Sequence, residues 1–354
     1  MGRKYCILTN SGTTALTLAL RSLQMPKYSE IMVSPLNCLS VLLAILFADA
    51  KPLFIDIKLP GLGIDFEDVK RKLNPRVKAL IAIHPFGRPE DVFFLENFAR
   101  QNGLFLIEDF AAAFGGKIKG KMMGAFGDLS ITSFGRCKVL DCGHGGAIFT
   151  DEDMLYQRCL SMTKKMRASD FYESVYQWGY LRTYYALKAA RKLSLPRKTL
   201  AQLLSLILRP FALTKMRTES VRCINRGLDE LDEILASRLR QTQILRESLS
   251  HQYFEHENSD PQEGTYFRYS ILSQPEIREE IVRTLASQGT YMSTLYAPTL
   301  GELYGSSASV PKAQEVAARI INLVFDRHTS DEEITRLAER LNLAAQSSLR
   351  SETS

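Results

Sequence analysis

Short apolar runs alternate with helical periodicity through the first 150 residues, and this rhythm constrains the fold more than any other feature. The runs are 31–34, 53–57, 79–84, 104–108, 129–133 and 147–150. Helical patterns lie between several of them, as at 14–23 and 92–102. A strand buried on both faces reads as a short continuous apolar run, and parallel neighbours need a crossover between them. The alternation therefore predicts an α/β chain built on a mostly parallel sheet. Ligands of such sheets bind at the carboxyl ends of the strands. His84, Asp109 and Ser133 fall at or beside such ends.

The chain has 354 residues, 45% of them hydrophobic and 24% charged. That is ordinary for a globular protein and long enough for a large domain plus a smaller one. The expected division is a large domain over 1–250 and a small C-terminal α+β domain over 251–354. In the second part a strand is expected at 266–272, with helices at 276–288 and 331–343. Ser330 and Glu333 are spaced as a capping box for the last helix. A helical stretch at 227–250 precedes them, and the tail 347–354 is expected to be disordered. No run of eighteen apolar residues exists, so no spanning helix is expected. No apolar leader precedes Asn10, which argues against a secretory signal. The six cysteines show neither CxxC pairing nor metal-ligand spacing with His. They read as reduced thiols of a cytoplasmic protein with no metal site.

Two residues carry the chemistry. Asp109 ends an apolar run, and Lys138 follows twenty-nine residues later in Ser133-Phe134-Gly135-Arg136-Cys137-Lys138. An acid at the end of a buried strand can hold a pyridinium nitrogen protonated. A lysine presented nearby can form a Schiff base with an aldehyde cofactor. Pyridoxal 5'-phosphate (PLP) chemistry asks both of a protein. The bland alternative is a strand-end acid and a surface lysine. Ser11-Gly12-Thr13-Thr14 precedes a helical pattern, which suits either a phosphate cradle or ordinary capping. His84 reads as a strand-end histidine satisfied by backbone, or as a catalytic one.

An ordered series of segments decides the first two of these alternatives and leaves that at His84 open. Ser11-Gly12-Thr13-Thr14-Ala15-Leu16, Pro52-Leu53-Phe54-Ile55-Asp56, His84-Pro85-Phe86-Gly87, Glu108-Asp109, Gly124-Ala125-Phe126-Gly127-Asp128, Ser133 to Lys138, and Gly145-Gly146-Ala147 together resemble the DegT-type sugar aminotransferases. The match covers 5–155 and resumes more weakly over 217–343, with Leu295-Tyr296-Ala297-Pro298 and Pro311-Lys312-Ala313. The resemblance implies a fold-type-I PLP transferase. It implies an amino group moved, from glutamate, to a nucleotide-linked keto sugar for polysaccharide or glycoconjugate synthesis. It also implies a homodimer with active sites at the subunit interface.

By the same resemblance Lys138 holds the cofactor and then shuttles the proton, and Asp109 pairs with the ring nitrogen. Gly12, Thr13, Thr14 and Ser133 bind the phosphate. The family's Thr-Phe pair, which stacks on the ring, is replaced by Asn37-Cys38. Its Gln three residues after the Asp is replaced by Ala112. Relatives carry thirty or more residues before the Ser-Gly-Thr segment, so a start ten residues before Ser11 reads as a truncated or shortened enzyme. Two other functions stand as alternatives, and these departures favour only the second of them. One is a PLP-dependent sugar dehydratase, some of which have His where Lys138 stands. The other is a catalytically degraded, PLP-binding regulatory protein.

Residues 157–217 have a different composition. They hold thirteen Lys or Arg and two acids, a net charge of +11 in a chain of +6, which leaves −5 elsewhere. They include Trp178-Gly179-Tyr180 and apolar stripes at 181–193 and 200–213. Relatives have no insert of this length there. Basicity with apolar stripes suits an anionic membrane surface, which would place the protein at the inner face of the membrane, or a lipid-linked substrate. The plainer alternative is a helical hairpin packed on its own protein. No nucleic-acid motif is present.

Overall fold

A seven-stranded sheet organises the N-terminal part. Its strands are β1 (Tyr5–Thr9), β2 (Glu30–Val33), β3 (Lys51–Phe54), β4 (Val77–Ile83), β5 (Phe105–Asp109), β8 (Leu129–Ser133) and β9 (Gly146–Thr150). A small hairpin, β6 (Lys117–Ile118) and β7 (Lys121–Met122), lies between β5 and β8. The spatial order is β1-β9-β8-β5-β4-β2-β3. Pairing is parallel from β8 through β3, while β9 runs antiparallel to both β8 and β1. This computed structural model describes residues 2–59, 61–168, 170–255, 264–294 and 296–352.

The crossovers are α1 (Gly12–Ser22), α2 (Leu39–Phe47), α3 (Phe66–Lys72) and α4 (Val92–Gln101). Leu80, Ile81 and Ala82 of β4 are wholly buried, as the unbroken apolar runs require of strands covered on both faces. One core contains α1 and α2, and a second contains Val92, Leu95 and Phe98 of α4. The helix α2 has no polar stripe, and eight of its nine residues are buried. Such a helix must be covered all round.

The six expected strands are all present, within three residues of their expected bounds. β1 was not anticipated: it is an edge strand of five residues, and Leu8 faces solvent, so its alternation is weak.

Beyond β9 come α5 (Asp153–Lys164), α6 (Asp170–Lys192), α7 (Arg197–Ala212), α8 (Thr218–Asp229) and α9 (Leu231–Ser248). α6 and α7 form a hairpin that covers α1 and α2. Tyr176, Leu187, Ala201 and Leu208 enter the same core as Leu16 and Leu42. Buried Glu173 pins the hairpin, pairing with Arg217 Nε at 2.8 Å and with His144 of the loop before β9. The packed-hairpin expectation therefore describes one side of this segment. The other side is apolar and uncovered: Trp178 is 60% and Ile207 62% exposed, with Leu181, Tyr185, Leu203 and Leu206 beside them.

In the C-terminal part β10 (Tyr269–Leu272) pairs antiparallel with β11 (Ile320–Leu323). Around them lie α10 (Pro275–Ser287), α11 (Leu300–Tyr304), α12 (Pro311–Arg319) and α13 (Asp331–Glu352). Leu245 and Leu249 share this core, so α9 spans both parts. Asp56 joins them as well, accepting the Lys312 and Ala313 N–H groups at 3.1 and 2.9 Å.

The capping box forms as spaced. Glu333 N–H donates to Ser330 Oγ at 3.2 Å, and Ser330 N–H to Glu333 Oε2 at 2.8 Å. The expected end of this helix at 343 and the disordered tail are corrected, because α13 continues to Glu352 with Ala344, Ala345 and Ser348 buried. The last two tail residues, 353–354, lie outside the described residues, as does Leu295 of the second motif group. The strand expected from 266 begins at Tyr269. Tyr266 adopts φ 43°, in the left-handed region, and breaks the extended path.

Candidate active site

Successive side chains of a strand point to opposite faces, and this separates Glu108 from Asp109 at the end of β5. Glu108 is wholly buried and fully engaged. It accepts from Gly124 N–H at 2.7 Å and Phe126 N–H at 2.8 Å, and meets His84 Nε2 at 2.9 Å. His84 Nδ1 accepts from Glu90 N–H at 3.0 Å, so a proton on Nε2 satisfies both ring bonds. His84 is thus held by its neighbours, and the Gly124–Asp128 motif wraps Glu108.

Asp109 turns to the other face. Its carboxylate accepts one bond, from Ala111 N–H at 3.0 Å, and its second oxygen has no hydrogen-bond partner among the described residues. Burial pushes the Asp109 carboxyl above its ordinary range, with the Ala111 N–H and the Lys138 charge pulling the other way. A buried acid with so few partners lacks a cation.

Lys138 is presented by a tight loop. Its N–H donates to Gly135 O at 3.2 Å, and Asp141 Oδ2 takes the Cys137 N–H at 2.7 Å. Cys137 stands at φ 60°, a left-handed conformation that costs a non-glycine residue about 1–2 kcal/mol. Lys138 Nζ lies 4.7 Å from the Phe267 ring centre. It has no ion-pair or hydrogen-bond partner among the described residues.

One cavity of about 230 Å³ gathers Gly12, Thr13, Cys38, Asp109, Ala112, Ser133 and Lys138. Ser11 caps α1 by accepting the Thr14 N–H at 3.1 Å, and the N–H groups before it have no partner within the helix. A Cβ on Gly12 would stand 2.8 Å from Ser133 Cβ, so only glycine lets the helix come this close. Thr14 stands apart. Its hydroxyl is buried, donating to Asn10 Oδ1 at 2.5 Å and lying 2.9 Å from Ala212 O, and it does not line the cavity. A second cavity, of about 520 Å³, shares Lys138, Phe267 and Arg268 with the first.

The residues fit PLP. Asp109 lacks a cation, a lysine amine is unengaged, and a helix N-terminus faces Ser133. Asn37 Nδ2 is a buried donor with no partner. Phe267 and Arg268 were not singled out in the sequence. Their only signal was an arginine inside an apolar strand pattern. Tyr176 gave none; its hydroxyl lies 3.4 Å from Thr13 Oγ1 across 163 residues of chain.

The sequence profile of the DegT/DnrJ/EryC1/StrS aminotransferase family matches residues 1–342. GDP-perosamine synthase of Escherichia coli O157:H7 is 27% identical over 344 residues, covering 96% of this chain and 85% of the relative. The dTDP-4-dehydro-2,3,6-trideoxy-D-glucose 4-aminotransferase of Saccharopolyspora spinosa is 25% identical over 346 residues, covering 96% and 84%. Among solved structures, Helicobacter pylori PseC, an aminotransferase involved in the biosynthesis of pseudoaminic acid, superimposes with a TM-score of 0.78. That match is 17% identical over 98% of this chain and 88% of PseC, and shows a shared fold.

Proposed function

This chain belongs to the DegT/DnrJ/EryC1/StrS aminotransferase family, and from that premise we propose that it moves an amino group from glutamate to a nucleotide-linked keto sugar. It is a PLP-dependent aminotransferase, and its product would enter polysaccharide or glycoconjugate synthesis. The observation that carries this reading is one cavity holding Asp109, Lys138 and the N-terminus of α1 together.

When bound, PLP supplies an aldehyde carbon that receives the amino group and a ring that draws electrons from the reacting carbon. In our reading Asp109 keeps the ring nitrogen protonated, which also gives the buried carboxylate its missing cation. Lys138 holds the cofactor at rest and then moves the proton at the reacting carbon. The α1 N–H groups, Thr13 and Ser133 bind the phosphate, with Gly12 permitting the approach. Cys38 and Ala112 border the ring with small side chains. The larger cavity receives the nucleotide sugar, and its wall combines the large unit (1–250) with the small one (251–354). Lys138 in the cavity speaks against the dehydratase and the degraded regulatory protein.

The test is spectral. Protein loaded with PLP should absorb in the visible, lose that band on adding glutamate, and regain it with a nucleotide keto sugar. A band indifferent to glutamate and to every other amino acid refutes the reading.

We infer as well that the protein acts in the cytoplasm as a homodimer and lies on an anionic membrane surface through the α6–α7 hairpin. In support, the uncovered apolar face is accompanied by exposed Arg182, Lys192 and Lys198 on the same two helices. No helix of the described residues is long and apolar enough to cross a membrane. Such a face would lie on the lipid rather than span it.

A further inference from the structure

Arg268 lies where the two cavities meet and lines both, beside Lys138. The residue is 9% exposed. Its guanidinium packs 4.9 Å from the centre of the Phe267 ring, the ring that Lys138 Nζ also approaches. Nη1 donates to the Ser293 hydroxyl at 2.7 Å. Nε is buried without a partner, and no carboxylate pairs with this guanidinium among the described residues. Nearby Arg238 is also buried with its Nε unpartnered, but it lines only the larger cavity, and its Nη1 donates to the Tyr266 and Phe267 carbonyls at 3.3 Å each. The left-handed turn at Tyr266 delays β10 and leaves Phe267 and Arg268 at the cavity wall. A guanidinium removed from water without a counter-charge is strongly unfavourable, so an anion belongs at this point.

We infer that Arg268 receives a substrate carboxylate, pairing with its two oxygens while the reacting carbon stands at Lys138. The inference rests on the aminotransferase reading. Two substrates can bring such a group. One is the amino-acid donor, whose carboxylate is bonded to the reacting carbon. The other is a keto sugar of the uronate type. The planar fork of arginine matches a carboxylate with two parallel bonds, which lysine cannot reproduce.

The first measurement needs no turnover. Maleate, an unreactive dicarboxylate, is titrated into the PLP-loaded protein and followed through the visible band. Arg268→Gln should weaken maleate binding about 10- to 100-fold, the range of a lost charge-assisted pair. Arg268→Lys should fall between, and PLP affinity should stay unchanged in both. Single-turnover half-reactions then separate the sources. A loss confined to the glutamate half assigns the donor carboxylate. A loss confined to a uronate keto sugar, with its neutral counterpart unaffected, assigns the sugar.

Wild-type maleate affinity in both variants overturns the inference. So does a fall in PLP affinity with maleate binding intact, which would make Arg268 a phosphate ligand. If Arg268→Gln does not fold, Arg268→Lys decides alone: a wild-type maleate affinity refutes the fork. A holoenzyme that binds maleate through Arg268 yet ignores glutamate would sink the aminotransferase reading and leave the carboxylate site standing.

Discussion

Glu108 and Asp109 are adjacent acids in opposite situations, and the difference is measurable. Glu108 is saturated by its neighbours, whereas burial raises the Asp109 carboxyl above its ordinary range near about 4. Below that range the acid is protonated in folded and unfolded chains alike. As pH climbs through it, the unfolded chain ionises first and the folded protein loses stability until its own raised value is passed. Cofactor-free Asp109→Asn should therefore melt higher than wild type at neutral pH, with the gap closing below about pH 4. Equal melting curves at pH 7 would show that the carboxylate is already compensated. Activity should move the other way: loaded Asp109→Asn should bind PLP but turn over about 10²- to 10³-fold more slowly, the scale of a lost preorganised charge. Lys138→Ala should melt close to wild type, because Nζ has no polar partner to lose. Borohydride reduction of the wild-type PLP complex should leave the adduct on Lys138 by peptide mass analysis, and an adduct on another lysine with Lys138 unmodified would remove Lys138 from its role. Asp109 and Lys138 were legible because strand periodicity and motif spacing both converge on them. Arg268 and Tyr176 were not, since Arg268 meets Lys138 across 130 residues of chain and Tyr176 meets Thr13 across 163, by long-range packing.

At the level of elements, the parallel core was legible and its margins were not. Strands such as β4 and β5 carry unbroken apolar runs, at 79–83 and 105–107, because they are covered on both faces, and this leaves a continuous signal. The edge strand β1 and the late start of β10 depend on long-range pairing and on one left-handed residue, Tyr266, so neither leaves one. The meeting of α1 with β8 shows what such contacts do. Gly12 lets the helix N-terminus stand against Ser133, with no room for a Cβ at 2.8 Å. Gly12→Ala must push α1 away from β8 or strain the contact, at about 1–3 kcal/mol, the usual cost of overpacking. The melting temperature should fall by several degrees or less, while PLP affinity should fall much further because the N–H groups retreat from the phosphate. Unchanged PLP affinity in a Gly12→Ala variant of reduced stability would take the phosphate away from this helix terminus.

For the molecule as a whole, charge and exposed apolar surface coincide at one place. Residues 157–217 carry a net +11, and the rest of the chain is −5, so the protein is electrically polarised. The same hairpin exposes Trp178, Leu181, Tyr185, Leu203, Leu206 and Ile207 on its outer side. A salt-sensitive attraction of about 1 kcal/mol per basic residue acts only on those within a Debye length of anionic lipid, so part of the +11 is effective at once. The apolar face adds about 25 cal/mol for each Å² it buries, a contribution that salt does not screen. Together they predict sedimentation with vesicles rich in anionic lipid, little with neutral vesicles, and release as salt rises. Replacing Trp178, Leu203 and Ile207 by Ser should weaken sedimentation while the spectrum of bound PLP stays unchanged, because these side chains point away from α1. Binding to neither vesicle at low salt would reject the membrane as the occupant. Should the same triple variant instead lose a dimer seen by ultracentrifugation, the face belongs to a second copy of the chain, and the basic residues around it would then need counter-charges from that copy's acidic remainder.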